Sequence, residues 1–68
     1  MRAHIAVKEA KNLPWAKFAA RCPDGNWRAF SKQPKLNAEG TDWDYSDMES
    51  SVLGADDKWK DDIFTIMR

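Results

Sequence analysis

Apolar residues change their spacing several times within 68 residues, and each change predicts an element. Ala3, Ile5 and Val7 alternate with Arg2, His4 and Lys8, the period of a half-buried strand over residues 2–8, and Asn12-Leu13-Pro14 interrupts it. Residues 15–31 support two readings. Trp15, Phe18, Ala19 and Cys22 fall at helical spacing, with Asn12 as the N-cap. Against that stands Pro23-Asp24-Gly25-Asn26, in which proline suits the first corner of a turn and glycine supplies positive φ. The turn favours a β-hairpin of Phe18–Cys22 with Trp27–Ser31. A two-residue loop would put Phe18, Ala20, Cys22, Trp27 and Ala29 on one face, whereas a three-residue loop closed by Gly25 would pair Phe18 with Phe30.

Lys32-Gln33-Pro34 and Asn37–Gly40 read as loop, and Thr41–Tyr45 alternates as a further short strand. Ser46 with Glu49 forms a capping-box pattern and Gly54 is placed as a C-cap, so a short helix is expected over 47–53. Asp56 or Asp57 can cap a last turn through Trp59 and Ile63, after which Ile63–Ile66 is β-branched enough to run extended. These elements add up to an α+β, or mainly β, single domain spanning 1–68. Its expected architecture is an antiparallel sheet of three or four strands with one or two short helices in the C-terminal half.

Composition sharpens the core. Four tryptophans, three phenylalanines and Tyr45 are a heavy aromatic load for a chain of this length, which buries only about 60% of the surface that its unfolded form exposes. Aromatic rings must therefore build the interior. Cys22 stands alone, so no internal disulfide staples the chain, and residues 1–15 lack the apolar run of a signal peptide or membrane span. Both features point to the cytoplasm.

Net charge is zero, but the halves differ sharply. Residues 1–35 hold eight cations against Glu9 and Asp24; residues 36–68 hold three cations against nine carboxylates. Such asymmetry suits internal charge complementarity on solvated faces, or a dipolar surface that meets a charged partner.

Few residues offer chemistry. A His4–Cys22 dyad would need both side chains within hydrogen-bond reach, whereas His4 falls on the polar side of its segment and Cys22 on the apolar side. The run Asp42, Asp44, Asp47, Glu49 has the acidity of a calcium loop but carries Asp47 where the sharp turn requires glycine. One cysteine and one histidine make no zinc site. No metal and no cofactor are expected. Lys17, Arg21, Trp27, Arg28, Lys32 and Lys35 interleave cations with rings as single-stranded nucleic-acid binders do, although a protein this small needs those rings inside.

The order Asp24-Gly25, Trp27-x-Ala29-Phe30, Lys32-x-Pro34, Trp43 and Trp59-Lys60-Asp61-Asp62-Ile63 resembles small uncharacterised proteins encoded by bacteriophages and prophages, over residues 18–64. The resemblance favours the hairpin at 18–31 and implies a phage accessory gene acting in a bacterial host cytoplasm. It brings no activity and no site residues. Such proteins often bind a host factor stoichiometrically, defence complexes such as CRISPR effectors included. The expectation is thus a non-enzymatic protein that binds and modulates or inhibits a host protein through an acidic face: Asp42, Asp44, Asp47, Glu49, Asp56, Asp57, Asp61 and Asp62. The alternative is a nucleic-acid-binding module using the basic aromatic segment 15–35. A homo-oligomer in which basic and acidic faces meet is a third arrangement, and no membrane partner is expected.

Overall fold

The computed structural model describes residues 1–55 and 63–68. The chain opens with a helix, α1 (Ala3–Ala10), where alternation predicts a strand. Two periods coexist in the same residues. Ala3, Ala6, Val7 and Ala10 lie at i, i+3, i+4 and i+7, and this small-residue stripe is the one that packs inward, while Ile5 is 40% exposed. Alanine also has the strongest intrinsic preference for helix, which settles the competition. Arg2 O accepts the first helical bonds, from Ile5 N (3.1 Å) and Ala6 N (3.0 Å). Beyond Ala10 the chain turns through bonds from Asn12 N to Glu9 O and from Leu13 N to Ala10 O, so Asn12 follows a helix instead of capping the next one.

The hairpin expected at 18–31 is present as β1 (Phe18–Arg21) and β2 (Asn26–Phe30). Its register pairs Phe18 with Phe30 and Arg21 with Trp27, the arrangement of the three-residue loop. Cys22 N donates to Asn26 O at 2.8 Å, Asp24 Oδ1 accepts from Asn26 N, and Gly25 takes φ +89°, a left-handed value that a side chain would strain. This register separates the hairpin into two faces. Ala19, Arg21, Trp27 and Ala29 share one; Phe18, Ala20, Arg28 and Phe30 share the other.

Two short elements follow, β3 (Lys35–Leu36) and β4 (Trp43–Asp44), paired as a small ribbon whose loop is closed by Asn37 N on Asp42 O and by Gly40 at φ +69°. The helix expected over 47–53 does not form. Its residues instead lead into and build β5 (Ser50–Ala55). Ser46 makes no capping box: its N–H and hydroxyl both donate to Asp44 Oδ1, while Glu49 N donates to Ser31 Oγ and is drawn into the sheet. The cap proposed at Asp56 or Asp57 lies outside the described residues. Chain extension over 63–66 is realised as β6 (Ile63–Thr65). The four-stranded antiparallel sheet has the order β5-β2-β1-β6, with a bulge in β5 at Leu53 opposite the Trp27–Arg28 step. The fold is α+β, and among the described residues its helix stands at the N-terminal end of the chain, not in the C-terminal half.

Each face of the sheet carries its own core. Under α1, Ala6, Ala10 and Ala16 meet Ala19, Trp27, Ala29 and Ile66, joined by Leu53 and Phe64. Alanines on both surfaces let the helix approach closely, and Trp27, fully buried, fills what remains, 5.6 Å from Phe64 between ring centroids. On the opposite face Ala20, Cys22, Phe30 and Trp43 pack with Phe18, Tyr45, Met48 and Ile63. Trp43 donates its indole N–H to Arg21 O, and Trp27 donates its own to Met1 O at 3.1 Å, so both buried indoles are satisfied.

Candidate functional site

The fold sorts charge by layer. The helical segment 1–17 carries Arg2, Lys8, Lys11 and Lys17 against Glu9; segment 31–49, which covers the other face, carries Glu39, Asp42, Asp44, Asp47 and Glu49 against Lys32 and Lys35. Among the described residues the charge split in the sequence is thus partly carried over to the two sides of the sheet, although Arg28, Lys32 and Lys35 of the basic half lie on the acidic side.

On the acidic side, Asp44, Asp47 and Glu49 are exposed and Asp42 is half-buried, its carboxylate accepting Trp43 N at 2.7 Å. Asp44 fixes the turn that follows it, as above. Among the described residues the Asp47 and Glu49 carboxylates have no such structural work. Asp56, Asp57, Asp61 and Asp62 lie outside the described residues. At Asp44 and Asp47 lies an open groove of about 450 Å³, lined by Lys32, Gln33, Lys35, Asp44, Ser46, Asp47 and Met48. Its lining of both charge signs suits polar or charged groups of a larger partner, and Met48 adds a soft apolar contact.

The basic aromatic segment does not assemble into one surface. Trp27 has no exposed area and offers no ring to a base, which removes it from that set. Arg21 stacks over Trp27 at 4.6 Å on the helix side, whereas Arg28 stacks over Tyr45 at 5.1 Å on the other. Lys17, Lys32 and Lys35 are exposed, the last two lining the groove. Sequence reasoning missed Gln33, Ser46 and Met48 as groove residues. Only the proximity of two loops distant in sequence reveals them, and no local pattern encodes it.

His4 sits exposed on α1 and Cys22 is buried in the opposite core, so the two form no dyad. Burial pushes the Cys22 thiol up to about 12, with Asp24 and Asp42 adding to the rise and Arg28 opposing it. Such a thiol is no nucleophile near neutral pH. Among the described residues no three His, Cys, Asp or Glu side chains converge as a metal cage would require, and no helix is long and apolar enough to cross a membrane. No protein-family model, curated protein or solved structure matches the chain.

Proposed function

We propose that the protein is a non-enzymatic binding protein of bacteriophage type that docks on a basic surface of a host protein and thereby modulates or inhibits it. The observation that carries this reading is the concentration of exposed carboxylates on one side of the sheet, where the Asp47 and Glu49 carboxylates make no structural bond among the described residues and Asp47 lines an open groove. Complementary charge of this kind speeds encounter and selects the partner, while the groove gives side chains of the partner a place to enter. The bacterial origin comes from the sequence resemblance alone. Nucleic-acid binding is the second reading, supported by exposed Lys17, Lys32 and Lys35, and weakened by the burial of Trp27 and by the placing of Arg21 and Arg28 on opposite faces.

A pull-down of tagged protein from bacterial lysate, split into nuclease-treated and untreated halves, separates the two. A protein retained near stoichiometry in both halves is the expected result and names the target. Retention that vanishes with nuclease, with affinity falling steeply in salt as counterions are released, overturns it in favour of nucleic acid.

A further inference from the structure

The acidic side ends at a sheet edge with unusual openness. Among the described residues β2 is the only strand paired with β5, α1 packs against its inner face, and the Met1 ammonium donates to Ala55 O at 2.7 Å at its far end; its sequence, Ser50-Ser51-Val52-Leu53-Gly54-Ala55, contains no charge and no proline. Proteins usually blunt such edges with lysine, proline or inward-pointing charge; among the described residues the Ser50–Val52 stretch has none of these, the bulge at Leu53 and the Met1 ammonium on Ala55 O lying beyond it. Ser31 N donates to Glu49 O at 3.0 Å and Glu49 N returns a bond to Ser31 Oγ, so Glu49 turns its main chain inward. By the alternation of an antiparallel ladder, Ser50 then presents its N–H and C=O outward. Val52, 49% exposed, is the most exposed large apolar residue of the sheet.

What surrounds this edge decides what can occupy it. Asp47 and Glu49 lie just before β5, and Asp56 and Asp57 follow it in the sequence. An antiparallel second copy would bring Glu49 of one chain toward the acidic end of the other, and like charges across strands are unfavourable. A strand with cations beyond its uncharged centre meets the opposite situation.

We propose that the outer edge of β5 is the strand onto which an extended segment of the partner protein adds, with uncharged residues opposite Ser50–Val52 and a lysine or arginine beyond the Ser50 end, where Asp47 and Glu49 stand. Main-chain bonds then supply affinity and the flanking carboxylates supply selection. The inference rests on the acidic-surface reading above and specifies the partner's conformation.

A synthetic nonapeptide, Lys-Lys-Thr-Val-Thr-Val-Thr-Lys-Lys, and its counterpart with glutamates in place of the lysines, test it against the full chain labelled with ¹⁵N. The lysine peptide is expected to shift the Ser50 and Val52 amides, to slow exchange of the Ser50 amide, and to bind at least about tenfold more tightly than the glutamate peptide. Ser50→Pro, which removes an outward N–H, is expected to abolish binding with the fold intact by circular dichroism; should that variant not fold, the exchange data on the unaltered chain decide. Shifts confined to Lys32–Lys35 and Asp44–Met48 would overturn strand addition and leave the acidic surface standing. No shift anywhere, or dimerisation without peptide, would overturn the inference as well.

Discussion

The two sides of this sheet are closed by different means. Beneath α1 the contact is built from alanines and one completely buried tryptophan, with the helix seated close on the strands. On the far side the cover is a two-stranded ribbon and its flanking turns, held by Trp43, Tyr45 and Met48 over Phe30 and Ala20. The first side is a packing device whose outer charges are mostly basic. The second spends few residues on packing and displays carboxylates and a groove. On the reading proposed above, stability and recognition would then fall on opposite faces of one small sheet.

The sharpest way to break that contrast is to remove one tryptophan from each side. Trp27→Ala is expected to cost about 3–5 kcal/mol, comparable to the whole stability of a domain this size, so the variant should lose its cooperative thermal transition. Trp43→Ala is expected near the lower end of that range, because Trp43 anchors only the ribbon; amide exchange should accelerate at Asn37 and Trp43 while β1 and β2 stay protected. Equal loss from both substitutions would abolish the distinction. Next comes Ala6→Leu, which inserts bulk where the helix meets the sheet and should cost about 1–3 kcal/mol in denaturant unfolding, whereas enlargement of exposed Ala38 in the ribbon loop should be close to neutral. The effect at Cys22 is absent near neutral pH and appears only in alkali. Its folded thiol titrates near 12 against an ordinary value of 9.0, so the stabilising contribution is complete below pH 9 and declines as pH rises from 9 toward 12, where the unfolded chain gives up the proton first. Stability of Cys22→Ala should fall less across that interval than that of the unaltered chain.

What could be read in advance follows the range of the interactions involved. The hairpin was legible because its determinant is local: Pro23, Asp24 and Gly25 dictate a turn whatever surrounds it, and the glycine selects the register found. Extension at Ile63–Thr65 was legible for a similar reason, since β-branched residues favour it. At residues 3–10 two hydrophobic periods fit the same side chains, and only the sheet beneath could choose between them. At 46–55 a capping-box pattern lost to strand pairing, because Ser31 offered Glu49 a ladder partner far away in sequence. The acidic character of segment 42–49 was plain from composition, yet its association with Lys32, Gln33 and Lys35 in one groove needs the ribbon to fold back, which no short motif states.

The central claim is that the carboxylate-bearing side engages the partner while the helical side serves the fold. It is tested most directly by measuring the affinity of the captured host protein for three forms of the chain: unaltered, Asp47→Lys/Glu49→Lys, and Lys8→Glu/Lys11→Glu. The account predicts at least about a tenfold loss for the first double variant and an unchanged affinity for the second, with both folded. Loss of binding on reversing Lys8 and Lys11, with Asp47 and Glu49 dispensable, would contradict it.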